Sequence, residues 1–385
     1  MDTAYNVEAI GNVKPVLLMI VVQTLYAVVN IMLKLAADDG MNLTVLVAYR
    51  FMFASAFIVP LALIFERKRL NNLTGQILFQ GFLCGLFGGS LLQNLYIKSL
   101  ALVSTIYATA MLNIIPAVTY IMSVSLGLEK SNLGTLAGMA KLLGTLTGVG
   151  GAMIFTFYKG KNLCIWSTRI DLLQHEASPH SASTGSRFGG CILALGTSLS
   201  YSLWLIIQTK MSEKFPWHYS IAALTSTTSF IQSTIFAVCT ERDWSQWKLG
   251  WNLRLLTAAS AGILASGVCY TLLAWCVRKK GPLFASAFTP LMLVIVTLGG
   301  SLVLDECLNI GSLIGSLLIV GGLYMLLWGK SKETWKLASE MVPSDGSVQC
   351  DSIHINGKPS LACNLKREHD KKIVASANHS LGHVQ

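Results

Sequence analysis

The sequence predicts an all-α integral membrane protein with ten transmembrane helices, arranged as two inverted five-helix repeats. Of its 385 residues, 53% are hydrophobic and only 12% are charged, whereas roughly a quarter are charged in a typical soluble domain. Ten apolar runs are long enough to cross a bilayer, and the second half of the chain repeats the pattern of the first. A surface this poor in charge suits lipid rather than water as its solvent.

The ten runs are stretches of about 20 mostly apolar residues, each bounded by charges or turn residues. The first run is too long for a signal peptide and contains Gln23 and Asn30, so we expect it to be retained. The predicted spans are 15–36, 43–65, 74–97, 103–127, 133–156, 188–209, 217–239, 254–277, 283–304 and 309–328. They divide the chain into an N-terminal segment (1–14), a first repeat (15–157), a loop (158–187), a second repeat (188–329) and a polar, disordered tail (330–385).

The net charge of +10 is distributed in short clusters between the apolar runs. Arg67–Arg69 and Arg278–Lys280 lie on one side of the predicted membrane, and the acidic pairs Asp38–Asp39 and Asp305–Glu306 lie on the other. Cytoplasmic loops carry an excess of Lys and Arg. Both basic clusters, and with them both termini, are therefore predicted to be cytoplasmic. This pattern indicates a lipid bilayer, and not nucleic acid, as the partner of the basic residues.

An internal repeat is the strongest organisational signal. An offset of 177 residues pairs Tyr107–Ala110 with Phe284–Ala287 and continues without a gap. The paired positions then include Glu129 with Glu306, Asn132 with Asn309, Gly138 with Gly315 and Gly144 with Gly321. The offset equals five spans, an odd number, so the two halves are predicted to have opposite orientations in the membrane, as in many secondary transporters.

Several segments resemble a known family. They are Met41–Arg50, Glu66–Lys68, Gln93–Tyr96, Ala110–Asn113 with Pro116, Gly281–Pro290 and Gly322–Lys330. Over about residues 10–335 the chain resembles the plant walls-are-thin (nodulin-like) transporters, whose halves are similar to EamA modules of the drug/metabolite transporter superfamily. The resemblance implies ten helices and export or facilitated movement of amino acids, with auxin as the solute of a minority of members. We expect the plasma membrane as the location, with the vacuolar membrane as the alternative.

Amide side chains inside the apolar runs are the first candidates for solute contacts. An amide offers donors and an acceptor without a fixed charge, which suits a small zwitterion such as an amino acid or a related organic acid. The alternative is that each amide simply bonds a neighbouring helix. Gln23 and Asn30 are seven residues apart and so share a helix face. The candidates are Gln23, Asn30, Gln93, Asn94, Asn113 and Gln232, and Thr289 completes the list.

Lys141 is a basic residue inside the fifth run, eight residues after its predicted start. At 1.5 Å per residue it would lie about 12 Å along the helix, close to the middle of a core about 30 Å thick. A lysine at that depth needs a polar cavity or a partner. Two roles stay open: a counter-charge for a substrate carboxylate, or a structural contact with a carbonyl or amide group.

Pro116 and Pro290 lie inside the fourth and ninth runs, three positions apart in the repeat register. A proline removes an amide donor and bends a helix, so a kink at either position could open a cavity; simple curvature is the alternative. Glycines spaced four apart, such as Gly144 and Gly148, allow close helix contacts. These contacts serve either internal packing or a homodimer.

The residue types that the spans lack also narrow the function. No HExxH, GxSxG or P-loop motif occurs, and neither cysteines nor histidines show metal-ligand spacing, so we expect no enzyme activity, cofactor or metal. No Asp or Glu lies in the middle of a predicted span, which favours bidirectional facilitated transport over strict proton coupling. The inverted repeat favours a carrier with alternating access over a channel or a receptor.

Overall fold

The computed structural model describes residues 2–38, 41–68, 73–103, 105–129, 134–158, 160, 162–163, 184–247, 253–303 and 308–341. Residues 1–335 form one compact unit. Residues 336–385 form a second unit, of which the described part is the end of a helix. The predicted loop at 158–187 and the predicted tail at 330–385 therefore lie mostly outside the described residues, as do Asp39, Asp305 and Glu306.

The first half of the chain is helical throughout its described part. Its elements are α1 Asp2–Asp38, α2 Leu43–Phe65, α3 Gly75–Gly85, a π-helical segment Leu86–Ser90 (the first π segment), α4 Leu91–Leu102, α5 Thr105–Leu112, α6 Ile115–Ser125 and α7 Leu136–Phe157.

The second half follows the same plan. Its elements are α8 Thr184–Lys214, α9 His218–Thr240, a 3-10 turn Trp244–Trp247, α10 Leu253–Ser260, a second π segment Ala261–Val268, α11 Cys269–Lys280, α12 Pro282–Ala287, α13 Leu291–Val303 and α14 Ile310–Met341. Two-residue strands, β1 Asn162–Leu163 and β2 Leu308–Asn309, pair antiparallel just after α7 and just before α14.

The predicted membrane fold is confirmed. Within the described residues, nine helical stretches are long and apolar enough to cross a membrane, and Pro282–Leu298 forms a shorter apolar helix at the place of the predicted ninth span. The ten-span count therefore holds, with the ninth span divided between α12 and α13. Each half contributes five spans, so the halves have opposite orientations.

Side-chain caps define several helix starts. The Asn42 side chain accepts a hydrogen bond from the Thr44 amide at the start of α2, and the Thr135 hydroxyl accepts one from the Gly138 amide at the start of α7. Glu66, which follows α2, accepts hydrogen bonds from the backbone amides of Tyr219 and Ser220 in the first turn of α9. A carboxylate there satisfies amides that have no partner within the helix and complements the helix dipole. Glu66 thereby ties the first half of the chain to the second.

The two halves are interrupted at matching positions. An offset of 177 residues carries the first π segment, 86–90, onto 263–267, inside the second π segment. The break between α5 and α6 covers residues 113–114, which the offset carries onto 290–291. The break between α12 and α13 covers 288–290, so the two breaks overlap at residue 290. The repeat thus extends to the irregularities of the backbone.

Contacts between the halves form the core. Helix α2 packs on α9, α4 packs on α8, and α1 contacts both α11 and α13. The largest hydrophobic cluster draws on both halves and includes Phe51, Trp204, Tyr270, Phe284 and Phe288, each at most 3% exposed. The aromatic side chains at the centre of the molecule therefore hold the two repeats together.

Helices α7 and α14 approach each other through glycines. A Cβ atom built on Gly322 would lie 2.4 Å from the backbone nitrogen of Gly148, and one on Gly144 would lie 2.6 Å from that of Leu326. The neighbouring Gly321 has nothing within 4 Å of the same position. Internal packing, one of the two predicted uses of these glycines, therefore operates between α7 and α14.

We expect Gly322→Ala to lower the melting temperature of the purified protein by several degrees, because a methyl group against backbone forces the helices apart at a cost of about 1–3 kcal/mol. Gly321→Ala is the matched control on the same helix, and it should leave the melting temperature unchanged or raise it slightly. Thermal unfolding followed by tryptophan fluorescence in detergent measures both. Equal melting temperatures for the two variants would contradict the proposed packing.

Candidate functional site

The helix breaks lie around one cavity. Pro116 lies in the first turn of α6, and Pro290 directly precedes α13. Both prolines line a small apolar cavity, together with Gly144, Thr145 and Ala287. The two positions predicted to bend helices are therefore neighbours in space, and α7 and α14 close the cavity on its other side. A missing proline amide leaves a gap in each helix ladder, which accounts for the position of the breaks.

Polar residues mark both breaks. Asn113 is 3% exposed, and its Nδ2 atom lies 3.4 Å from the Thr156 hydroxyl of α7. Thr289 lies in the other break, where its backbone amide donates to the Ser286 carbonyl and its side chain lies beside the phenol of Tyr201. Unwound backbone at membrane depth is tolerated where it is buried in protein or lines a cavity. These two breaks meet that condition.

The predicted amides do not form one site. Within the described part of the chain, no hydrogen bond joins two of them. Gln232 donates to the Phe82 carbonyl, which links α9 to α3, and Asn30 is exposed with its Nδ2 atom 3.2 Å from the Met292 sulfur. These contacts, like that of Asn113 with Thr156, are of the kind that joins helices.

Gln23 and Asn94 differ from the other amides because they are buried and keep unused hydrogen-bonding capacity. Gln23 is 2% exposed and has no hydrogen-bond partner among the described residues. Asn94 donates to the Ser90 carbonyl of the preceding turn, while its Oδ1 atom has no partner there. Gln93, next to it, is half-buried. Buried amides normally find partners, so these two have capacity left for a solute.

Lys141 lies in an ionic network at the end of the bundle. Its Nζ atom is 2.7 Å from Glu333 Oε2 and 3.4 Å from Glu129 Oε2, and the residue is 1% exposed. Lys330 pairs with the other oxygen of Glu129 and donates to the Lys280 carbonyl. The network joins the segment before α7 to α7, α14 and the end of α11. Of the two roles predicted for Lys141, these contacts support the structural one.

The predicted depth of Lys141 was wrong. Helix α7 begins at Leu136, because Thr135 adopts extended backbone and caps the first turn. Lys141 is therefore five residues, about 7.5 Å, into the helix rather than about 12 Å. At that position the side chain reaches the carboxylates of Glu129 and Glu333.

Arg50 is a buried cation that is not among the residues predicted from the sequence. It lies in α2, seven residues after the helix start and so about 10 Å along it, and it is 5% exposed. Its Nε atom donates to the Ser266 hydroxyl at 2.8 Å, in the second π segment. Among the described residues, Arg50 has no ion-pair partner within 4 Å. The signal was available, since Arg50 is the single charged residue of the run 43–65.

Aromatic side chains surround Arg50. Its guanidinium carbon lies 5.6 Å from the centre of the Phe51 ring, and it is close enough to Tyr26, Cys269 and Tyr270 to act on them electrostatically. Tyr270 donates to the Gly88 carbonyl in the first π segment. Arg50 and Tyr270 thus connect α2 and α11 to both π segments. π-helical turns inside α-helices are frequent at functional sites.

Comparison with known proteins identifies the family. The sequence profile of the EamA-like transporter family matches residues 13–156 and 188–328. The chain belongs to this family. The resemblance inferred from the sequence is thereby confirmed, and the protein is a membrane transporter of the EamA type.

Relatives cover nearly the whole chain. WAT1-related protein At1g68170 of Arabidopsis thaliana is 40% identical over 354 residues, which are 91% of this chain and 99% of that protein. WAT1-related protein At1g25270 of the same plant is 41% identical over 322 residues, 83% of this chain and 90% of the relative. One solved crystal structure superimposes with a TM-score of 0.63 at 15% identity, covering 82% of this chain and 97% of the other, which shows the shared fold alone.

The ionic network yields a prediction for this EamA transporter. Lys141→Met should lower the melting temperature clearly, because two carboxylates lose a buried counter-charge, and breaking such a pair costs about 3–5 kcal/mol. Lys332→Met, on the exposed Lys332 beside Glu333, is the matched control and should change little. Glu333→Gln added to Lys141→Met should recover part of the loss. A Lys141→Met protein of normal stability that loses only carboxylate substrates would instead assign Lys141 to solute binding.

Proposed function

We propose that this protein is a carrier for small organic solutes, with amino acids as the expected class, and that it works by alternating access in both directions along the solute gradient. The observation that carries the proposal is the pair of repeat-matched helix breaks around one cavity. In inverted-repeat carriers, solutes bind near the midplane at the interface of the repeats, often beside discontinuous helices. A channel would need an open pore lined by repeated residues.

The chemistry of the buried polar groups supports amino acids as the transported solutes. Gln23 and Asn94 offer uncharged hydrogen-bond donors and acceptors inside the bundle. The donors suit the carboxylate of a zwitterion, and the acceptors suit its ammonium group. Auxin or another small organic acid is the second candidate. Arg50 is compatible with all of these carboxylate-bearing solutes, because it supplies a buried positive charge without a described counter-ion. The names of the relatives carry no information about solutes.

Facilitated transport is supported by the position of the acidic groups. Among the described residues, no Asp or Glu lies in the middle of a membrane span. Glu66 caps α9, and Glu129 and Glu333 are paired with lysines. Proton-coupled carriers generally use titratable groups near the midplane. Carboxylates that already cap a helix or pair with a lysine at a helix end are poorly placed to carry protons across the membrane.

In liposomes containing the purified protein, uptake of labelled L-glutamine should saturate and should be accelerated by unlabelled L-glutamine inside, because a carrier returns faster when loaded. A protonophore should change the initial rate by less than about twofold, since no described midplane carboxylate exists to couple protons. Empty liposomes are the control. Linear, unsaturable flux would favour a channel, and complete loss of uptake with the protonophore would contradict facilitated transport.

We further propose that both termini are cytoplasmic and that the protein resides in the plasma membrane. In a variant without native cysteines, single cysteines at Lys68 and Lys279 should resist an impermeant thiol reagent added outside intact cells, because these exposed positions belong to the basic clusters. A cysteine at Arg242, exposed after α9, should react. All three should react after permeabilisation. External labelling at Lys68 would reverse the orientation.

A further inference from the structure

We propose that Arg50 binds the carboxylate group of the transported solute. The inference rests on the proposed carrier function and adds to it the recognition group and the substrate class: small molecules that carry a carboxylate. Amino acids and organic acids such as auxin share this group. The carboxylate is the chemistry that both solute classes share, and the experiment below separates the two classes.

The guanidinium of Arg50 is a buried positive charge. An arginine stays protonated in proteins, and a charge inside a membrane span is expensive unless it is paired or lies beside a polar cavity. Arg50 is 5% exposed, and no described Asp or Glu lies within 4 Å of it. An anionic solute would supply the missing charge each time the site is occupied.

The terminal nitrogens of the Arg50 guanidinium have a geometry that suits a carboxylate. Among the described residues, the only hydrogen bond of the guanidinium runs from Nε to the Ser266 hydroxyl. The two terminal nitrogens remain, and their planar fork matches the two oxygens of a carboxylate. Lys141 does not compete for this role, because Glu129 and Glu333 already surround it.

Arg50 is held in place at the interface of the two repeats. Arg50 belongs to the first repeat, whereas Ser266 belongs to the second. A Cβ atom on Gly262 would lie 2.5 Å from the Arg50 carbonyl oxygen, so the second π segment runs directly against α2. The Ser266 contact fixes the orientation of the guanidinium. A recognition group held this way loses little entropy when a ligand binds.

Aromatic rings of the core lie beside the Arg50 guanidinium. Phe51 packs near Tyr270 with ring centres 6.4 Å apart, and Tyr270 lies 4.9 Å from Trp204. The indole Nε1 atom of Trp204, a residue 1% exposed, has no hydrogen-bond partner among the described residues. Solute sites typically combine aromatic walls with a few convergent polar groups. A carboxylate on Arg50 would leave the rest of the solute against these rings.

The test compares acids with the corresponding amides, which lack the carboxylate, on the reconstituted full chain. The probes are L-glutamine against L-glutamine α-amide, and indole-3-acetate against indole-3-acetamide, each as a competitor in glutamine counterflow and as a stabiliser in thermal unfolding. Whichever pair of probes the wild type binds, it should bind the acid more tightly than the amide. Arg50→Gln should weaken the acid at least about tenfold, equivalent to about 1.4 kcal/mol, and leave the amide within about twofold.

Two further variants keep the test decisive. Arg50→Lys retains the charge but not the fork, so it should keep the preference for acids with an affinity several-fold lower, even where Arg50→Gln does not accumulate. Lys98→Gln removes an exposed cation of α4 that lies 5.1 Å from the Phe236 ring, and it should match the wild type. Arg50→Lys indistinguishable from the wild type for both members of a pair would overturn the proposal.

The outcomes separate this inference from the carrier function. Saturable counterflow in which acids and amides compete equally, or in which Arg50→Gln weakens both alike, would overturn the role of Arg50 and leave the carrier intact. Stabilisation by acids without any counterflow would support Arg50 and contradict the carrier. Absence of both flux and stabilisation for all four probes would overturn both proposals.

Discussion

The structure depends on one constraint: inside a bilayer, the backbone must satisfy its own hydrogen bonds. Continuous helices meet it automatically, so any interruption needs protein around it. Here the interruptions after α5 and α12 face a shared cavity, and the two π segments lie against α2 and the Trp204 ring. The exceptions to regular helix are thus concentrated at the interface of the repeats. That is where an inverted-repeat carrier requires local freedom without exposing backbone to lipid.

A buried charge must likewise be satisfied by its surroundings. This requirement distinguishes Lys141 from Arg50, two cations that look alike in the sequence. Lys141 lies near a helix end, where Glu129 and Glu333 reach it, and its charge is balanced within the protein. Arg50 lies further along its helix, among hydroxyl groups and aromatic rings, with one hydrogen bond to Ser266. A balanced pair stabilises one arrangement of helices, whereas an unbalanced cation suits a mobile anion. Depth and neighbours, not residue type, decide between these roles.

Much of the fold could be predicted from the sequence, because hydropathy counts spans and self-comparison finds repeats without knowledge of contacts. The site could be predicted only in part. The partners of Lys141 come from residues 12 and 192 positions away, and no spacing rule connects such distances. Its depth was misjudged because Thr135 starts the helix later than the apolar run suggests. Arg50 was overlooked although it interrupts an apolar run, because its importance depends on Ser266, 216 residues further along the chain.

The two repeats match in backbone conformation but differ in the side chains at equivalent positions. The offset of 177 residues matches the π segments and nearly matches the helix breaks, yet it pairs Arg50 with Thr227, Lys141 with Leu318 and Asn94 with Thr271. Two halves with equivalent backbones can exchange conformations, which would open the centre to each side in turn. A single charged group at their interface can bind a solute in only one orientation. A symmetric mechanism of access can therefore coexist with an asymmetric binding site, because the first depends on the backbone and the second on a few side chains.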